Sequence, residues 1–327
     1  MKAKKTYKKL KGIKPFNKFG FRSCYYHQLI TAFSKFGVDD KIWLMNYLQI
    51  YKFDAEKPKI FVEELEILSE KEIENIAGLK LIKKKRSENI IDEIINSIDK
   101  GMPAIVAVDG YYLDYREDIY KKRHVGHFLL FYGYDKTTKK FIINEHMYLN
   151  SQTYVESKVD FKVIDKSFKN YLKRLTKPDS YGIIKIKRKC KPSAIDINKY
   201  KKTVSKNKTL ISESLTSIKQ FCDYLLNVSK DEVVLRKYID AILEPLGILR
   251  CKKVINKHQL MFVYENDDIN DTADKIVEAQ IYIYGILARI KLANAYSEII
   301  IENLRRKLEK YIMLEEKVHN FLLAESL

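Results

Sequence analysis

The spacing of apolar residues changes near residue 190, and that change constrains the fold more than any other feature of the chain. Upstream, MPAIVAV (102–108), HFLLFYGY (127–134), KFIINEH (140–146) and YGIIKIK (181–187) are apolar, β-branched or aromatic runs of strand length. The polar stretch DKTTKK joins the second to the third, which predicts an antiparallel hairpin. Downstream, apolar positions recur at three and four. Ala273, Ile276, Val277, Tyr284, Leu287, Ala288 and Lys291 trace one stripe; Ile300, Leu304, Leu308, Tyr311 and Leu314 trace another. Such stripes predict long amphipathic helices. The junction KRKCKPSAIDINK (186–198) has the Pro, Ser and Lys of a linker. The expected architecture is an α+β domain with an antiparallel sheet over 1–190, followed by an all-α helical domain over 191–327.

Two helices are expected in the first domain. In SCYYHQLITAFSKFG (23–37), Ser23 suits an N-cap, Leu29, Ile30, Phe33 and Phe36 form an apolar face, and Gly37 is a stop. In ENIIDEIINSIDKG (88–101) the helix closes on Gly101 and feeds directly into MPAIVAV. No run approaches the roughly 18 apolar residues of a membrane span. The N-terminal stretch MKAKKTYKKLKGIKPF does not read as a secretory signal. Four cysteines (Cys24, Cys190, Cys222, Cys251) without a CxxC pair fit a reducing, cytoplasmic setting and argue against a cysteine zinc site.

Absent motifs prune the chemistry. There is no GxxxxGK[ST] loop, no GxG pair, no HExxH and no GxSxG, so no nucleotide cofactor or zinc is expected. Cys24 stands at a predicted helix start, where unpaired N–H groups and the helix dipole favour a thiolate, and Arg22 adds positive charge. His127 opens a buried strand and can serve as general base. Asn144, across the hairpin, can orient its imidazole in a Cys–His–Asn arrangement. Glu145 faces the opposite side of that strand, so only one of the pair can serve; Asp135, at the turn, is a further candidate. His27, His124, His146, His258 and His319 receive no catalytic role.

The order of Cys24 at a helix start, MPAIVAVDGYYL, HVGHFLLFYGYD and KFIINEH resembles papain-like, leader-peptidase-like cysteine proteases. Within them it is similar to the butirosin biosynthesis protein H N-terminal family, over about residues 15 to 188. It also resembles the amide-forming, cysteine-protease-like enzymes of closthioamide biosynthesis. The resemblance implies acyl transfer from a carrier-protein thioester to an amine, with Cys24 as nucleophile, His127 as base and Asn144 as orienter. An activated thioester explains why no ATP site is needed. An acyl or peptidyl carrier protein and a small amine, possibly a diamine, are the implied partners, with no membrane and no nucleic acid. Asp109, Tyr112 and Tyr115 are expected to line the substrate pocket. The leader peptidases' oxyanion Gln falls at Lys18 here, next to Asn17, so the oxyanion donor is left open.

Lys and Arg outnumber Asp and Glu by 61 to 43, and residues 1–20 hold eight Lys and no acid. That surface suits an acidic carrier, a nucleic acid, or solvated lysines with no partner. A cysteine peptidase or amide hydrolase would use the same three residues. A binding module would leave Cys24 unreactive.

Overall fold

The computed structural model describes residues 6–18, 23–146, 153–177 and 180–325. Its strands are β1 (Tyr7–Lys9), β2 (Tyr47–Asp54), β3 (Lys59–Glu66), β4 (Leu79–Lys84), β5 (Ala104–Asp109), β6 (Gly126–Asp135), β7 (Lys140–Glu145), β8 (Val155–Asp160) and β9 (Ile183–Arg188). Helices α1 (Cys24–Ser34), α2 (Lys41–Leu44), α3 (Glu70–Ala77), α4 (Ile90–Asp99) and α5 (Phe161–Arg174) intersperse with them. The rest of the chain is helical: α6 (Ile197–Lys206), α7 (Lys208–Ser229), α8 (Glu232–Tyr264), α9 (Asp267–Ala293) and α10 (Glu298–Ala324). The α+β class with a C-terminal helical region is as expected.

Two compact units form, one from residues 1–42 and 70–194, the other from 43–69 and 195–327. A boundary at 190 therefore needs a correction. The β2–β3 hairpin, although inside the α+β half of the sequence, belongs to the helical unit. There Ser214 of α7 accepts the Tyr51 N–H at 2.9 Å, and Lys252 of α8 pairs with Glu64 at 2.8 Å. Gln259 donates to the carbonyls of Leu44 and Tyr47 at 2.6 and 2.7 Å. These partners lie 163 to 215 residues away in sequence, so no local pattern announces them.

The first unit is built on a seven-stranded antiparallel sheet in the order β4-β9-β5-β6-β7-β8, with β1 continuing along β6 beyond β5. Its central strands are buried almost throughout, and they read as continuous apolar runs for that reason. Gly101, at φ +76°, ends α4 where an L side chain would be strained, and its N–H returns to the Ile98 carbonyl. That stop delivers Ala104 directly into β5.

In the second unit α7 to α10 bury the expected stripes: Ala273, Ile276 and Leu287 on α9, and Leu304, Leu308 and Tyr311 on α10. Lys291, at the end of the α9 stripe, is exposed and pairs with Asp240 of α8. Lys253 and Glu315 form a buried ion pair at 2.7 Å, and the ammonium sits 3.8 Å from the centre of the Tyr51 ring.

Candidate active site

The site lies in the first unit, where α1 begins against β6. Ser23 has extended geometry (φ −160°) and its side chain does not cap the helix; Cys24 is the first residue of α1, at the positive end of its dipole. Cys24 is half-buried. Burial alone would push its thiol up. A hydrogen bond to His127, the charge of that ring and the Phe128 backbone N–H outweigh burial and hold the thiol below its ordinary range. Arg22, expected to add charge here, lies outside the described residues.

His127 is buried and uses its two ring nitrogens on opposite partners. Nε2 lies 2.8 Å from Oε2 of Glu145, which leaves Nδ1 for the thiol. Burial would lower the imidazole. The Glu145 charge and the hydrogen bonds from both partners reverse that and push it up to about 10. Both shifts run toward a thiolate beside an imidazolium, the form in which a cysteine attacks a carbonyl.

The residue orienting His127 is Glu145, and the expectation of Asn144 is corrected by the strand register. Alternation puts His127, Leu129 and Phe131 on one face of β6. The hairpin pairs Asp135 with Lys140, Tyr134 with Phe141 and Gly133 with Ile142. Continued without a break, that register would set Asn144 opposite Phe131, on the face of His127. A bulge between Phe131 and Gly133 shifts it by one residue, so Leu130 opposes Asn144. Glu145 thereby gains the His127 face. Asn144 instead donates to Oε1 of Gln28 at 2.9 Å and approaches the Thr31 hydroxyl at 3.4 Å, both on α1. Gln28 in turn donates to the carbonyls of Phe128 and Asn144 at 3.2 and 3.1 Å. Asn144 anchors the nucleophile's helix. Asp135 accepts the N–H groups of Thr137 and Thr138 in the hairpin turn and takes no part in the site.

Glu145 is wholly buried and well supported. It accepts the His146 N–H at 2.7 Å and the Tyr115 hydroxyl at 3.3 Å, and Arg116 Nη1 lies 3.4 Å away. Burial would raise this carboxyl; the charges of His127 and Arg116, with the His127 hydrogen bond, hold it below its ordinary value. Arg116 is gripped by Asp118 at 2.7 and 2.8 Å. Sequence reasoning passed over it, although a lone arginine in the tyrosine-rich loop YYLDYRED, just before the catalytic strand, was a usable signal.

Of the three expected pocket residues, only Tyr115 reaches the site. Asp109 is fully buried and committed, one oxygen to the Tyr111 N–H at 3.1 Å and the other to His124 Nδ1 at 2.7 Å. It ends β5 in a 3₁₀ turn and cannot meet an amine. Tyr112 donates to Asn170 of α5 at 3.1 Å. The positions considered for oxyanion donors are also occupied. Lys18 pairs with Asp40 at 2.5 Å, and Asn17 grips the Tyr154 backbone on both sides at 2.7 and 2.9 Å. Tyr154 stacks on His27 at 4.6 Å, which makes His27 a wall residue, held neutral by burial with a pKa near about 4.

His127, Glu145 and His146 each offer a ligand atom within 4.8 Å of the others. The Arg116 guanidinium already stands 3.3 to 3.4 Å from all three. A fixed cation among them opposes a metal ion, so the cluster reads as an acid–base set.

An antiparallel α+β domain with a cysteine at a helix start, a histidine on the facing strand and a carboxylate behind it is the arrangement expected of a cysteine nucleophile with its base. Residues 45–146 match the family model described as butirosin biosynthesis protein H, N-terminal, the family that the sequence motifs resemble. The match takes in His127 and Glu145, begins after Cys24 and spans less than half of the chain. It points to a biosynthetic enzyme, acyltransferase-like or peptidase-like. No curated protein matches the chain. Among the described residues, no helix is long and apolar enough to cross a membrane.

Proposed function

We propose that this protein is an ATP-independent acyltransferase that forms amide bonds, moving an acyl chain from a carrier-protein thioester through a Cys24 acyl-enzyme to an amine. The observation that carries the reading is the Cys24–His127 hydrogen bond at the start of α1, backed by the buried Glu145 carboxylate 2.8 Å from the ring. The thiolate attacks the thioester carbon, and the departing thiolate takes the His127 proton. Neutral His127 then accepts a proton from the attacking amine, and the amide leaves as the Cys24 thiolate re-forms. A thioester supplies the driving force, so this cycle consumes no nucleotide. The basic balance of the chain, 61 Lys and Arg against 43 Asp and Glu, supports an acidic carrier as donor in the cytoplasm. A diamine acceptor in closthioamide-like, thiotemplated nonribosomal peptide biosynthesis is the specific form of this reading.

The test is intact-protein mass spectrometry with acyl-N-acetylcysteamine thioesters, with and without 1,3-diaminopropane. The expected result is an acyl adduct on Cys24 that persists in buffer and is released as amide by the diamine. Cys24→Ala should form no adduct while keeping the wild-type circular dichroism spectrum. An adduct lost to water equally fast with or without amine makes the protein a hydrolase. No adduct with any thioester refutes the acyl-enzyme.

A further inference from the structure

His146 follows Glu145 at the end of β7, and the thiolate, base and carboxylate leave its ring unused. That ring stands edge-on to two others, His127 at 5.8 Å and Tyr154 at 5.1 Å between centroids. Of these, His127 is hydrogen-bonded to Cys24. The neighbouring arginine favours one tautomer of His146: a guanidinium has no lone pair to offer, and Arg116 Nη1, at 3.3 Å, is placed to donate to Nε2. Burial holds His146 below its ordinary pKa and keeps the ring neutral, which puts its single proton on Nδ1. Nδ1 is buried and has no hydrogen-bond partner among the described residues. A buried N–H left without an acceptor is rare in folded proteins and calls for an explanation.

Resting on the acyl-enzyme reading above, we propose that His146 is a catalytic residue whose Nδ1–H donates to the oxyanion formed when Cys24 attacks a thioester or ester carbonyl. A lone pair on Sγ forms the new C–S bond as the carbonyl π pair moves onto oxygen, and that oxygen accepts the Nδ1–H. When the carbonyl re-forms, the bond to the leaving thiolate or alkoxide breaks, and the leaving group takes the proton of His127. The Lys18 and Asn17 side chains before α1 are committed elsewhere, so neither competes with a donor from the end of β7. Arg116 is a positioning residue that acts through the tautomer it favours.

Two reagents separate this role from nucleophile activation. Iodoacetamide alkylates the Cys24 thiolate at a saturated carbon and forms no oxyanion, whereas p-nitrophenyl acetate acylates it through one. Both reactions are followed on the full chain by mass spectrometry of the Cys24 peptide, because Cys190 is exposed. His146→Ala should alkylate at close to the wild-type rate and acylate about 100-fold more slowly, as expected for the loss of one oxyanion donor. His146→Asn puts an amide where Nδ1 stands and should recover most of the acylation. His146→Gln, whose amide reaches the place of Nε2, should not. The assignment is overturned by wild-type acylation in His146→Ala, by equal losses in both reactions, or by rescue with Gln in place of Asn. Wild-type protein that alkylates without acylating removes the acyl-enzyme reading itself, an outcome distinct from wild-type protein that acylates no faster than His146→Ala.

Discussion

Glu145→Ala is the most direct perturbation of the reasoning, because one buried carboxylate sustains the charge on His127. The substitution removes the 2.8 Å acceptor of Nε2 and one carboxylate partner of Arg116, which keeps Asp118 and its contact with His146. A hydrogen bond to a charged group contributes about 1.5–3 kcal/mol, so the acylation rate should fall about 10- to 150-fold. The pH profile carries a second, independent signature. In the wild type His127 is pushed up to about 10 and Cys24 is held down. The ion pair is therefore lost on the acid side as the thiolate protonates, and on the alkaline side near pH about 10 as the imidazolium deprotonates. Without Glu145, the burial of His127 acts with less opposition, and the alkaline limb should move down. Glu145→Gln keeps an acceptor oxygen without its charge and should fall between. The assay is the acylation of Cys24 by p-nitrophenyl acetate, followed by the nitrophenolate burst from pH 5 to 11. A Glu145→Ala burst at the wild-type rate, with an unmoved alkaline limb, would show that the carboxylate does not govern the base.

Asn144→Ala should leave the burst rate near wild type while lowering the denaturation midpoint, since it strands the buried Gln28 carbonyl at a cost of about 1–3 kcal/mol; a slow burst in a fully stable variant would reinstate Asn144 as the orienting residue. Lys253→Met should destabilise the helical unit by about 3–5 kcal/mol by leaving the buried Glu315 without its partner, and Lys253→Met with Glu315→Leu should recover much of it. Urea unfolding measures both, and an unchanged midpoint in the single variant would contradict the buried pair. Reaction with an acidic carrier-bound thioester should slow as salt rises and the Debye length falls from about 30 to about 8 Å, while reaction with an N-acetylcysteamine thioester should not. Equal salt sensitivity of the two rates would remove carrier steering.

Much of the fold was legible because it follows from local rules. The four apolar runs became β5, β6, β7 and β9, and the segments stopped by Gly37 and Gly101 became α1 and α4. The β2–β3 hairpin escaped detection as part of the helical unit. Its stabilising partners, Ser214, Lys252 and Gln259, are far away in the chain, and nothing in YLQIYKFD announces them. Asp109 and Tyr112 were misread for a related reason. A strand-end aspartate and a tyrosine look alike from sequence whether they face a pocket or cap a turn, and only their partners His124 and Asn170 decide.

The site divides along the same line. Residue type and local position singled out Cys24 and His127 as the candidate nucleophile and base, since a cysteine at a helix start and a histidine opening a buried strand can be recognised without knowing the rest of the fold. Sequence also determined that Asn144 and Glu145 face opposite ways, because side chains alternate along any strand. Which of them meets His127 was decided only by pairing. One extra residue between Phe131 and Gly133 exchanges the two faces, and with them an amide for a carboxylate. The tertiary fold likewise delivered Arg116 to Glu145, 29 residues on. The charge state of the site depends on such long-range neighbours, because in a buried setting the distances between groups, more than their identities, set which protons stay.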